Sequence, residues 1–266
     1  MKKKSAGSIA VMLLVMIYLL IPLVISIIYS LFKKWTGILP EGFSIGNYAS
    51  LFSDPNFLAS VGRSVGMCIV PILLTIVIVL LALFVTTIYF PKLEKYVQII
   101  CMIPYTIQGV ILSVSILSLY VGNKSVLSNR MVMLMGAYCI VILPYIYQGI
   151  RNGMRAVNMV TLIEAAEMLG ASKIYAFFRV VVPNIISAII VSSLLAVGII
   201  FGDYVLIRNL AGTSAPNMQI FLYQTMKSDS TKASAVFVII MFVTFVITAV
   251  VLFLKSREGK NRVQKK

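Results

Sequence analysis

Six stretches of this chain carry no Asp, Glu, Lys or Arg: Ser5–Phe32, Ser64–Pro91, Tyr96–Asn123, Met131–Ile150, Val180–Gly202 and Ala233–Leu254, each 20 to 28 residues long. A helix needs about 20 apolar residues to cross roughly 30 Å of hydrocarbon, whereas barrel strands are about half that length and alternate in polarity. The pattern predicts an all-α polytopic membrane protein with six transmembrane helices, over residues 8–32, 64–90, 96–120, 131–150, 183–205 and 234–254. Pro22, Pro71, Pro104 and Pro144 lie inside these runs, where helices of a bundle accommodate kinks that an isolated anchor would not. Small residues such as Gly109, Ser113, Gly136, Ala137, Ser192 and Gly198 allow close helix approach, or are simply tolerated in lipid.

Composition agrees. Hydrophobic residues make up 60% of the chain and charged ones 12%, which excludes a cytosolic enzyme. The formal charge of +15 resembles that of a nucleic-acid binder, but the charge-rich soluble surface such proteins need is missing, so no nucleic-acid partner is expected. The charge reports topology instead. With the N-terminus inside, 15 of the 23 Lys and Arg fall on the cytoplasmic side, so the positive-inside rule favours N-in, C-in. The N-terminal Met1-Lys2-Lys3-Lys4 and its long apolar run read as a retained first helix rather than a cleaved signal peptide.

Several chemistries drop out. Histidine is absent, and Cys68, Cys101 and Cys139 stand apart inside apolar runs, so they read as small buried hydrophobes, with no metal site. No G-x-x-x-x-G-K-[S/T] loop occurs, no Ser-His-Asp arrangement is possible, and no catalytic residue is expected.

Outside the membrane, Trp35 suits an interfacial belt, while Asn47, Tyr48, Leu51, Phe52, Pro55 and Phe57 suggest short amphipathic turns. These either pack on the bundle mouth or form a docking surface for an extracellular partner. The basic tail, 255–266, either contacts anionic membrane lipid or only fixes topology. Tyr105, Gln108, Tyr145, Tyr147 and Gln148 are polar or amphipathic residues in or near spans and are candidates for lining a pathway.

The loop 151–182 between the fourth and fifth spans is patterned. Thr161 and Glu164 fit a capping box that would start a helix, with Leu162, Ala165, Ala166 and Leu169 on one face. Gly170 suits a left-handed C-cap, and Ser172 can cap a second helix whose apolar face is Ile174, Phe177, Phe178 and Val181, with Pro183 at the start of the fifth span. The expectation is a cytoplasmic helix-turn-helix.

Glu164-Ala165-Ala166, three residues, Gly170, nine residues, then Val180-Val181-Val182-Pro183 resemble the EAA signature of ABC-importer permease subunits. The segment from Phe43 to Pro55, Leu143-Pro-Tyr145 and Phe201-Gly-Asp-Tyr204 are similar to the spermidine/putrescine-type branch; related branches import ferric iron, thiamine or phosphonate.

The resemblance implies that Glu164, Ala165, Ala166, Leu169, Gly170 and Ala171 form a coupling helix docking on a cytoplasmic ABC ATPase dimer. That ATPase would hold ATP and Mg2+, with no cofactor on this chain. It further implies a second homologous permease subunit, an extracellular or periplasmic solute-binding protein, and a bacterial cytoplasmic-membrane location. Polyamine is the expected substrate. Asp203, with Tyr204, is a candidate pathway residue that attracts an amine, or else an interfacial acid that hydrates or pairs with Arg208. The competing reading is an ATP-independent secondary transporter or channel, which would usually show internal repeats and intramembrane charges.

Overall fold

The computed structural model describes residues 6–34, 41–122, 126–212 and 215–263. The helices are α1 (Ala6–Ser30), α2 (Gly46–Phe52), α3 (Pro55–Ile88), α4 (Glu94–Met102), α5 (Gly109–Tyr120), α6 (Arg130–Ala156), α7 (Met159–Met168), α8 (Lys173–Ala176), α9 (Val182–Asn184), α10 (Ile186–Phe201), α11 (Val205–Leu210), α12 (Met218–Ser228) and α13 (Ser230–Val263). A two-stranded antiparallel ribbon, β1 (Phe32–Lys34) with β2 (Glu41–Phe43), joins α1 to α2.

Four helices, α1, α3, α6 and α13, are long and apolar enough to cross a membrane. The other two expected spans are bent pairs: residues 91–106 with α5, at 101°, and residues 173–184 with α10, at 66°. Counting each pair as one span gives six. The apolar side chains of Val11 through Ile21 stand on the surface, which suits a hydrocarbon solvent.

The expected span 96–120 is therefore not one helix. Pro104 removes a backbone donor, the chain tightens into a 3-10 turn over Ile103–Thr106, and Ile107 and Gln108 are extended before α5 begins. The span 183–205 shrinks to α10, because Pro183 sits in the single turn α9, Ile185 breaks the helix, and Gly202 closes its other end on the Gly198 carbonyl. In contrast α3 and α6 outrun their uncharged stretches. Arg63 does not break α3, since its guanidinium donates to the Pro216 carbonyl at 2.9 Å. The last helix runs from Ser230 through Val263, so the basic tail is helical over its first nine residues, 255–263. Trp35 lies outside the described residues.

The chain forms two compact units. In the first, residues 1–59 and 220–243, α2 is tied to the end of α1: the Asn47 amide donates to the Ser30 and Phe32 carbonyls, and the Tyr48 hydroxyl bonds that of Ser30. Leu51 and Phe57 are buried, and the Phe57 ring packs on Phe221. Asp229 caps α13 by accepting from the Thr231 and Lys232 amides, and Lys232 reaches Asp54 at 3.4 Å.

The second unit, residues 60–219 and 244–266, is organised on α6, whose buried residues run from Met133 to Met154. Its main partner is α10. The three cysteines are free; Cys68 and Cys101 are buried and Cys139 partly so.

Candidate functional site

The helix α6 does not stop at the end of its apolar run but continues to Ala156. Asn158, left-handed at φ 51°, then turns the chain into α7. The helix thus begins at Met159, two residues before the expected cap, and Thr161 lies within it rather than capping it. Its buried residues are Met159 and Ile163, so the expected face of Leu162, Ala165, Ala166 and Leu169 is displaced: Leu162 and Ala166 are half-buried while Ala165 is exposed. The helical period is correct, but the phase is set by what α7 lies on.

The exit follows the expectation for Gly170, at φ +87°. Its amide donates to the Glu167 carbonyl at 2.9 Å and the Ala171 amide to the Ala166 carbonyl at 3.0 Å, the paired bonds of a Schellman cap. Ser172 then caps α8, accepting from the Tyr175 amide. Beyond α8 the chain forms a π turn over Phe177–Val181. Ala176, Phe177 and Val181 are buried, with the Phe177 ring 4.7 Å from that of Phe84, whereas Ile174 and Phe178 of the expected apolar face are largely exposed. The base of the loop is thereby anchored. Its tip is bare: Met168 is 87% and Leu169 90% exposed, flanked by exposed Glu164, Ala165 and Gly170 and half-buried Ala171.

A second feature ties α4 to α6. One carboxylate oxygen of Glu94, Oε1, accepts from Arg151 Nε at 2.9 Å and from Arg155 Nη2 at 3.0 Å, and lies 2.8 Å from Arg151 Nη2. At the other end of α4, Gln148 Nε2 lies 3.1 Å from Met102 Sδ, and the Tyr105 and Tyr145 rings pack edge-on at 4.9 Å.

A cleft of about 310 Å3 opens between α6 and α10, with Tyr105 at its rim. Tyr145, Gln148, Asn152, Asn184 and Ser187 line it, and among the described residues none of its lining is charged. Of the five residues expected to face a pathway, Tyr105, Tyr145 and Gln148 line this cleft and Gln108 does not. Tyr147 points elsewhere, fully buried, with the Arg151 guanidinium 6.0 Å from its ring centroid. Gly149 and Gly153, which make the close crossing of α6 over Ser192 and Ala188, escaped the reading of small residues because they stand where the uncharged run ends.

Asp203 and Tyr204 lie in the turn after α10 and do not line the cleft. The Asp203 carboxylate accepts from the Tyr138 hydroxyl at 3.1 Å and from the Leu206 and Ile207 amides at 3.3 and 3.2 Å, capping α11. Among the described residues no group of His, Cys, Asp and Glu has a metal-binding arrangement.

The sequence profile of the binding-protein-dependent transport system inner membrane component matches residues 93–258. The chain is 20% identical over 203 residues to a permease protein named for 2-aminoethylphosphonate transport, PhnV, of Salmonella typhi, covering 76% of each chain. To the namesake from Salmonella paratyphi A it is 21% identical over 202 residues, covering 74% and 75%. Its fold is similar to that of a bacterial ABC transporter involved in the import of the acidic polysaccharide alginate, with a TM-score of 0.66 at 18% identity over 94% of each chain. A second structure, of an alginate ABC transporter in complex with an alginate pentasaccharide-bound periplasmic protein, gives 0.64 at 17% over 92%. These relatives carry phosphonate and alginate in their names, not polyamine. The chain is a multi-pass transport component rather than an enzyme, and it belongs to the family of binding-protein-dependent transport system inner membrane components, the permeases of ABC importers.

Proposed function

We propose that this chain is one of two permease subunits of an ATP-driven importer in a bacterial cytoplasmic membrane, oriented N-in and C-in, and forms half of the solute pathway. Glu164, Ala165, Ala166, Leu169, Gly170 and Ala171 dock on a cytoplasmic ATPase dimer that holds ATP and Mg2+. A solute-binding protein delivers from outside. Access alternates because the two nucleotide states of the ATPase favour different permease conformations, without which no shift would occur.

The observation that carries this reading is the loop tip: a base packed through buried Phe177, Met159 and Ile163 presents Met168 and Leu169 to solvent on a Schellman turn. Bare apolar side chains on an otherwise anchored turn suit a partner groove. The α6–α10 cleft is the pathway wall on this subunit. Its polar lining is amides and hydroxyls with no charged side chain among the described residues, and the choice of a phosphonate over a polyamine as substrate class is supported by the names of the relatives. Asp203 holds α11 at the end of that wall.

Affinity purification from membranes tests the reading. A Walker-motif ATPase should co-purify with the wild-type chain and be lost with Leu169→Asp, while the variant permease remains folded. Recovery of no ATPase with the wild-type chain overturns the reading. Stimulation of ATP hydrolysis by spermidine but not by 2-aminoethylphosphonate, in the complex with its binding protein, overturns the substrate class.

A further inference from the structure

The first half of the third span, α4, has little of its own to hold it: Tyr96, Ile99 and Ile100 are all more than half exposed. It is fastened to α6 at its two ends by unequal means. At the bend, the attachments are a thioether contact, Gln148 to Met102, and an edge-on ring pair, Tyr105 with Tyr145. At the other end three guanidinium nitrogens converge on the single oxygen Oε1 of Glu94. Tyr145, Gln148, Arg151 and Arg155 follow one another at intervals of three, three and four, so all four contacts fall along one stripe of α6.

The strong end is also the end nearest the coupling loop. Arg155 is three residues before Asn158, the left-handed residue that turns α6 into α7. Glu94, Arg151, Arg155, Asn158 and Met159 share the walls of one pocket of about 180 Å3. Glu94 is 26% and Arg151 15% exposed, so this pair is shielded in a way that a surface ion pair is not. Tyr105, at the far end of the same half-helix, borders the cleft.

We infer that Glu94 is the positioning residue that makes α4 follow α6, so that a displacement delivered at α7 moves Tyr105 and reshapes the cleft. Resting on the permease reading, this assigns the path by which the ATPase contact reaches the pathway wall: α7, the end of α6, Glu94, α4, Tyr105. With the clasp broken, α4 keeps the buried Cys101 and the weaker contacts at the bend, and its Glu94 end no longer tracks α6. A packed, charge-clasped element with two positions is the kind of object that carries such coupling.

The test uses the assembled complex of both permease subunits and the ATPase, with Cys68, Cys101 and Cys139 replaced and one cysteine placed at Ser187 in the cleft. The rate of its alkylation by a small maleimide is measured without nucleotide and with ATP plus vanadate. Wild type should show a nucleotide-dependent change of about fivefold or more. Glu94→Gln should reduce that change to below about twofold while the ATPase still co-purifies and hydrolyses ATP. Glu94→Lys combined with Arg151→Glu should restore it, which a variant that merely misfolded would not do. Full response in Glu94→Gln, or failure of the exchanged pair to restore it, overturns the assignment. Absence of the ATPase from the wild-type preparation overturns the permease reading itself, and is seen before any variant is made.

Discussion

Gly153 on α6 and Ala188 on α10 approach so closely that a Cβ built on the glycine would stand 2.6 Å from that of Ala188. One turn earlier a Cβ on Gly149 would collide with Ser192. Gly149-x-x-x-Gly153 thus lies against Ala188-x-x-x-Ser192, the small-residue geometry by which membrane helices bring their backbones together where no hydrophobic effect drives them. This crossing sets the floor of the cleft.

Substituting Ala at Gly149 or Gly153 should therefore destabilise the subunit by about 1–3 kcal/mol, the usual penalty of overpacking. The melting midpoint of the detergent-solubilised complex is the measurement. Gly136→Ala should leave it unchanged, because nothing lies within 4 Å of a Cβ at that position. Ser192→Gly should recover most of the loss caused by Gly149→Ala.

Gly170→Ala meets open space rather than a clash, so its effect should be conformational. A non-glycine residue held at positive φ costs about 1–2 kcal/mol, enough to unwind the cap that presents Leu169. Recovery of the ATPase should fall several-fold, and less for Gly170→Asn, since asparagine accepts the left-handed region better. Equal recovery from all three chains would refute the role of the cap.

Asp203→Asn separates capping from solute binding. Loss of part of the α11 cap and of the charged acceptor for Tyr138 should cost about 1 kcal/mol of stability. The half-saturating solute concentration for stimulated ATP hydrolysis should not move. Tyr138→Phe and Asp203→Asn should be non-additive in melting experiments, because one removes and the other weakens the same hydrogen bond.

Asp229 supplies a pH dependence. Burial pushes its carboxyl upward, but the Lys232 amide, the Thr231 hydroxyl and amide and the Lys232 charge outweigh this and hold it below the usual aspartate range. A depressed acid stabilises the fold above its unfolded pKa of about 3.9, and the contribution disappears as pH falls through the lower folded value. Between pH 7 and 5 the melting midpoints of wild type and Asp229→Asn should run parallel. Below about pH 4 the wild type should lose its advantage, at most the ~1 kcal/mol of an N-cap.

The helical class, the uncharged runs and the punctuation of the loop 151–182 were legible in the residues themselves. Gly170 and Ser172 act where local backbone chemistry alone requires them to act. Thr161 misled because a capping box can be written inside a helix: the start of α7 is decided by the left-handed turn at Asn158, which an asparagine permits but does not dictate, and by the burial of Met159 and Ile163, which depends on what α7 lies against. Gly153 was passed over because charge was used to end the span at Arg151 while α6 runs on, and Gly149, inside the span, has no local mark of the partner it meets on α10.

Charge sparsity and hydropathy determined by themselves that this chain is a helical membrane protein, because hydrocarbon admits few other solutions to the demands of backbone hydrogen bonding. The EAA spacing further pointed to its family. Tertiary structure alone decided which helices break, which side of α6 faces the cleft, and that Glu94, 57 positions from Arg151, clasps it. These depend on pairs of residues distant in the chain, and a local pattern carries no information about which distant partner will satisfy a charge or accept a close backbone.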